Sequence, residues 1–293
     1  MSDKIFRNLE HLLSFEHLQV VWGAVLIGIA AFSIVERFFP AHPFVPGAAS
    51  VNIRASGIYL VVSPLIGVIP AVWVQELLIP VKQNVFWPIM LNMNVFAYWF
   101  DRPPSPVGYT PSVSASVLFS LAGVLVYDFF YYWFHRLQHL MPLWRQHKLH
   151  HTDTALSVLT TYRVHWLEDA LRAVLITLPM GLVFNVTPMQ VAWMAYIMPQ
   201  LGHLIHANLR LTFGPFTPVF VGPQLHRIHH SIEPRHRDKN FAAFFPVWDI
   251  LFGTYYRPRA DEYPATGVPD ERSDVSVRDI LLSPFQADIQ KSL

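Results

Sequence analysis

The chain contains no cysteine. That excludes disulfides, thiolate zinc sites, Fe–S clusters and covalent c-type haem attachment together. Charged residues are also scarce, 14% against the quarter usual in soluble domains, while 53% of the residues are hydrophobic. The mean hydropathy of +0.32 points to a membrane solvent. Net charge is +1 and no Lys/Arg run is present, so a nucleic-acid partner is excluded as a working hypothesis. There is no dinucleotide fingerprint, no internal repeat and no low-complexity segment. What is abundant is histidine. Of 15, most crowd between His135 and His236, and any metal must therefore sit on His, Asp, Glu or Asn.

Apolar runs at 18–35, 55–79, 84–100 and 114–134 predict about four transmembrane helices in residues 1–134, each near the length that one hydrocarbon crossing needs. Pro64 and Pro70 imply kinks in the second. The first lacks the short core and small-residue cleavage site of a signal peptide and is expected to be retained. Residues 135–256 form the expected catalytic region, including a membrane hairpin at 170–205 around the turn-like 185–188. Residues 257–293 read as a polar tail. Lys and Arg are sparse before residue 130 and flank the histidines afterwards, which by the positive-inside rule puts the histidines in the cytoplasm. The expected fold is all-α: an integral membrane helical bundle with a cytoplasmic, histidine-rich helical cap holding a dinuclear metal site. The expected location is a bacterial inner membrane or the endoplasmic reticulum.

Three motifs carry the chemistry. His135-Arg136-Leu137-Gln138-His139 is HxxxH; His147-Lys148-Leu149-His150-His151 and His226-Arg227-Ile228-His229-His230 are both HxxHH. On a helix, positions i, i+3 and i+4 project from one side, with Cβ atoms about 5–6 Å apart. Together the motifs offer eight imidazoles. A catalytic zinc takes three protein ligands and a structural zinc four, so eight suits two metals with open positions. Repetition of one spacing argues against solvated or pH-sensing histidines. Imidazole suits iron, zinc and copper alike, so ligand type leaves the metal open.

His206, on the last turn of the hairpin, is a further expected ligand. His203 and His165 are possible ligands or orienting residues, whereas His11, His17, His42 and His236 have no partner spacing and read as surface. A metal-bound imidazole usually donates its other N–H to a carboxylate or carbonyl. Asp128, Asp153, Glu168, Asp238 and Asp249 are candidates for that role, with Asn208 and Asn240 able to orient water or a ligand.

These boxes, with Asp128, Trp144, the 163–168 segment, His206-Ala207-Asn208, Asp238-Lys239-Asn240 and the 248–255 segment, resemble the fatty acid hydroxylase and sterol desaturase superfamily. The resemblance covers roughly Tyr127 to Tyr255. Some relatives carry a further histidine pair near His206; here the position four residues on is Arg210. The resemblance implies a helical, membrane-embedded di-iron centre, with two Fe ions and O₂, that hydroxylates or desaturates a lipid: sterol-like, acyl, alkylglycerol or carotenoid. With no internal electron route, an external donor is expected, cytochrome b5-like, a ferredoxin or a reductase, docking on Arg227, Arg235, Arg237 and Lys239. The lipid is expected to enter from the bilayer past Phe129, Tyr132 and Trp133. The alternatives are a zinc-dependent membrane hydrolase, which would want a glutamate base of the HExxH kind that is absent here, and a metal transport or storage protein, which would place ligands within the spans.

Overall fold

A computed structural model describes residues 22–45, 47–84, 91–92, 113–185 and 188–285, with a few isolated positions before residue 22. His11 and His17, most of the apolar run at 84–100, and the tail beyond 285 lie outside the described residues. The fold is helical: α1 (Gly23–Phe38), α2 (Ala48–Asn84), α3 (Val113–Gln138), α4 (Trp144–His151), α5 (Glu168–Arg172), α6 (Leu178–Val183), α7 (Pro188–His206), α8 (Pro223–His229), α9 (Val247–Leu251) and α10 (Val277–Leu282). One two-residue parallel strand pair, Leu91–Asn92 with Phe184–Asn185, accompanies the helices. It ties the end of α6 back toward the segment after α2.

α2 runs through Pro64, Pro70 and Pro80 as one helix of 37 residues, about 55 Å at 1.5 Å per residue. Proline removes one backbone hydrogen bond and crowds the preceding turn, so the helix must be held by its flanks. Its inner side buries Val51, Ala55, Val68, Val72 and Leu78, while Ile53, Val61, Ile69, Trp73 and Leu77 face outward. Among the described residues, Ala48–Pro80 is the one helix long and apolar enough to cross a membrane by length and composition. α5 continues through a π-helical turn, Ala173–Thr177, into α6. This segment and α7 are the two arms of the expected hairpin, and they pack on α2 and on α1 respectively.

The short helices that carry the HxxHH motifs are set by their ends. Gly222 adopts an extended conformation and Pro223 opens α8 at the position where a missing N–H costs nothing. α4 stops at Thr152, whose hydroxyl donates to Leu149 O at 2.9 Å. The same end receives Arg163, which is fully buried. Its guanidinium donates to Leu149 O (3.1 Å), Asn52 Oδ1 (2.8 Å), Thr152 Oγ1 (2.9 Å) and Ser273 O (2.9 Å). A cation at a helix C-terminus also opposes the helix dipole. Asp153 completes the joint, accepting from Asn52 Nδ2 (2.8 Å) and Thr160 Oγ1 (2.6 Å). Asp153 therefore serves α2 and the 158–162 turn and touches no imidazole. Glu36, at the end of α1, accepts the backbone N–H of Val158 and of Asn208, each at 2.7 Å. One arginine and two carboxylates thus lock α1, α2, α4 and the hairpin end around the histidines.

Arg163→Ala should lower the stability of the detergent-solubilised chain by about 2–4 kcal/mol, because it strands buried acceptors that a charged donor now satisfies. Arg163→Lys should recover only part, since an ammonium lacks the fork that reaches four partners. A melting temperature unchanged in Arg163→Ala would show that this joint contributes nothing.

Candidate metal centre

The structure brings nine imidazoles into two adjoining groups. His135, His139, His147, His151 and His229 form one; His150, His206, His226 and His230 form the other, and within each group one nitrogen per ring lies within 4.8 Å of all the rest. The two HxxHH helices do not each serve one group. The i, i+4 pair of α4, His147 and His151, goes to the five-membered group while His150 crosses to the four-membered one. In α8 the pair His226 and His230 belongs to the four-membered group, and His229 crosses back. The ring centroids of His151 and His230 stack at 4.5 Å across the boundary.

Within the groups, Nε2 atoms converge. His147 Nε2 is 3.1 Å from Nε2 of both His135 and His151. His206 Nε2 is 3.1 Å from that of His150 and 2.9 Å from that of His226, and His226 and His230 stand at 3.2 Å. Adjacent ligands of a metal bound at about 2.0–2.1 Å are separated by about 3 Å. The spacing therefore fits a metal in each group.

Tautomers follow from the other ring nitrogen. A carbonyl can only accept, so His135 Nδ1 donates to Phe241 O (2.7 Å), His229 Nδ1 to Lys239 O (2.8 Å) and His206 Nδ1 to Gly202 O (2.8 Å). His139 Nδ1 lies 3.2 Å from Asp238 Oδ1. These bonds leave Nε2 as a lone pair turned toward the group. In His139 and His229 that nitrogen is buried and has no hydrogen-bond partner. An unpartnered buried acceptor costs about 1–3 kcal/mol. A cation is the partner this donor set lacks.

Three of those four acceptors come from one segment. Asp238 and Asn240 have positive φ, 57° and 59°, a region in which Asp and Asn are the most tolerated non-glycine residues. Between them, Asp238 Oδ1, Lys239 O and Phe241 O reach His139, His229 and His135. Two carboxylates hold the segment in place. Asp249 accepts the N–H of Phe241 (2.8 Å) and Ala242 (2.9 Å) and the Thr254 hydroxyl (2.6 Å). Asp128, on α3, accepts the N–H of Ala243 (2.9 Å), Phe244 (3.3 Å) and Phe245 (2.8 Å). Asn240 pairs with the N–H and C=O of Tyr256.

Asp128 and Asp249 therefore orient imidazoles through the backbone, not by accepting from a histidine as the sequence pattern suggested. Glu168 accepts from Gln138 Nε2 (2.9 Å) and from Gln146 Nε2 and pairs with Arg172 (3.2 Å). It braces the helices that carry the boxes without touching a histidine. Asn208 bonds the backbone of His42 and accepts from Arg227 (3.1 Å). Of the expected orienting groups, Asp238 alone makes a direct contact.

His165 and His203 lie outside both groups. The first is bonded to Leu281 O (3.1 Å) and Leu167 N (3.2 Å), the second to the Tyr162 hydroxyl (2.7 Å). His236 is fully buried against Ser231 and Glu262 rather than on the surface. Arg227 is buried and cannot dock a partner; Tyr132 is a core residue bonded to Thr254 (3.0 Å), so it lines no entry route.

Burial holds the imidazoles of His135, His147, His150, His151, His226, His229 and His230 well below their usual range, and His206 is pushed down to about 4. His139 is lowered less, because Asp238 opposes burial. The folded state thus holds these rings neutral, while the unfolded chain takes up protons below about pH 6.5. The metal-free chain should lose stability as pH falls through 6.5 toward about 4, steeply because many rings titrate together. Thermal melts from pH 7.5 to 5 test this, and a flat profile would contradict the burial of neutral imidazoles.

Residues 120–254 match the sequence profile of the Fatty acid hydroxylase family. Similar proteins include an ornithine lipid hydroxylase of Rhizobium tropici, 33% identical over 137 residues (46% of this chain, 41% of the relative). An alkylglycerol monooxygenase of Caenorhabditis elegans is 31% identical over 142 residues (48% and 28%). A cholesterol 25-hydroxylase-like protein of Danio rerio is 30% identical over 173 residues (54% and 64%). The chain thus spans less than two thirds of the length of these relatives, and no solved structure matches it. Residues 120–254, which hold all nine clustered imidazoles, are similar to the fatty acid hydroxylase family.

Proposed function

We propose that this chain is a membrane-bound oxygenase that hydroxylates or desaturates a lipid at a di-iron centre. The observation that carries the reading is the pair of adjoining imidazole groups, with His135, His139, His147, His151 and His229 holding one iron and His150, His206, His226 and His230 the other. Both groups are built without thiolate or carboxylate, and the names of the relatives are those of lipid hydroxylases and monooxygenases. Iron bound there supplies the oxidising power that side-chain acid–base chemistry cannot deliver to an unactivated C–H bond.

Hydroxylation converts C–H to C–OH with one oxygen atom of O₂. The other leaves as water, consuming two electrons and two protons. Desaturation removes two hydrogens instead and sends both oxygen atoms to water. The electrons come from an external donor, for which the surface around Arg235 and Lys239 is the docking face. The chain's own residues fix the imidazole tautomers through Phe241, Lys239, Gly202 and Asp238 and exclude water by burial. A multi-pass topology with the histidines on the cytoplasmic side follows from the apolar runs and the Lys/Arg placement.

A zinc hydrolase is less well supported. Among the described residues no carboxylate belongs to either group, and the one that touches a member, Asp238, bonds the Nδ1 of His139 rather than an open position. A transporter would need ligands along a crossing helix, and none of the nine lies in Ala48–Pro80.

Isotope incorporation tests the reading. The chain, reconstituted in bilayers with iron and a chemical reductant and given ¹⁸O₂, should place ¹⁸O in a hydroxylated lipid, or yield a double bond with labelled water. His151→Ala and His226→Ala should abolish the product, and His42→Ala should leave it. Oxygen derived from H₂¹⁸O, or product formed without O₂, would sink the oxygenase reading.

A further inference from the structure

A cleft of about 320 Å³ reaches His139, His151 and His229 of the five-membered group and no member of the other. One wall is apolar, with Met141, Trp144 and Ile232, and Trp144 lies 5.3–5.4 Å from the rings of His139 and His151. Glu233, Arg237 and Asp238 also line the cleft. Two of these charges are engaged: Glu233 by Arg235 at 2.7 Å and Asp238 by His139. The Arg237 side chain makes no hydrogen bond or salt bridge among the described residues and is exposed to the cleft. Of the lining, Met141 and Ile232 are 54% and 41% exposed, and Leu140, next to Met141 in the chain, is 59% exposed. Exposed large apolar side chains of this kind, rimmed by polar ones, mark a membrane or ligand contact.

Resting on the oxygenase reading above, we propose that this cleft admits the polar end of a single-chain amphiphile whose oxyanion, carboxylate or phosphate, pairs with Arg237. The tail runs out over Leu140, Met141 and Ile232 toward the bilayer interface. The volume is at the low end of ligand pockets, about 300–1,000 Å³, too small to enclose a whole lipid. Head and reacting carbon must therefore share the space next to the imidazoles. The carbon oxidised lies close to the head and not far along the chain, and the five-membered group is the one that meets the substrate. This places lipid entry beyond the C-terminal end of α3, away from Phe129 and Tyr132.

Binding tests the cleft without turnover. The full chain, iron-loaded and in detergent, is titrated calorimetrically with lauric acid, dodecyl phosphate and dodecanol. At least one acid should bind roughly tenfold or more tighter than the alcohol, as a charge-assisted hydrogen bond provides, and the tighter acid identifies the oxyanion. Arg237→Gln should erase the preference while leaving dodecanol binding intact, Arg237→Lys should keep most of it, and Arg278→Gln, a remote exposed cation, should change nothing. Equal binding of all three ligands, or a preference that survives Arg237→Gln, overturns the assignment. So does a lipid product oxidised far from its head group. A chain that binds acids through Arg237 yet incorporates no oxygen would retire the oxygenase reading and leave the cleft standing.

Discussion

The structure turns on one constraint: nine imidazoles must be taken out of water, kept neutral, and aimed at shared points. Neutral imidazole carries one donor and one acceptor, and burying either unpaired is costly. For His135, His139, His206 and His229 the chain meets this by giving the outer N–H an acceptor, whereas Nδ1 of His147, His150, His226 and His230 is buried without a partner. The backbone does most of it, through Phe241 O, Lys239 O and Gly202 O, with Asp238 as the single carboxylate. Carbonyls serve well here because they add no net charge beside the proposed metal centre. Their cost is transferred to the chain that presents them, which must be held rigid at Asp238, Asn240 and the residues after them. Asp128 and Asp249 do that by accepting consecutive backbone N–H groups from 241 to 245. Two charges that looked like partners for histidines are spent one bond further out.

Interleaving of the two HxxHH helices couples the two imidazole groups. With His150 and His229 each crossing to the group dominated by the other helix, neither group can be assembled without both α4 and α8 in place. Arg163 therefore matters beyond local stability. It fixes the C-terminal end of α4 to α2 and to the segment at Ser273, and with it the relation of His147, His150 and His151 to α8.

The boxes themselves were legible because i, i+3, i+4 spacing is a property of one helix. So was His206, from its return at the end of the hairpin. The split between groups was not, since it depends on the crossing of α4 with α8, which no local spacing encodes. His165 and His203 are next to the site in sequence but have bonding partners of their own in Leu281 and Tyr162, and only tertiary contacts reveal them. The role of Asp128 was read as direct because a carboxylate two turns before His135 on the same helix lies on a similar side. Its true partners are more than a hundred residues away, at 243–245. His236 read as surface because it has no partner spacing; the fold turns it inward onto Ser231. The long proline-bearing helix α2 was expected as a shorter, kinked run, and its extension to Ala48 comes from Asn52, which packs on Arg163 and Asp153 and gives the polar end a reason to stay helical.

The central claim is two metals, one per imidazole group. Anomalous diffraction at the iron edge from crystals of the purified, anaerobically prepared protein tests it most directly. The account predicts two iron peaks, one enclosed by His135, His139, His147, His151 and His229 and one by His150, His206, His226 and His230. A single peak, or peaks that coincide with zinc and not iron, would contradict it.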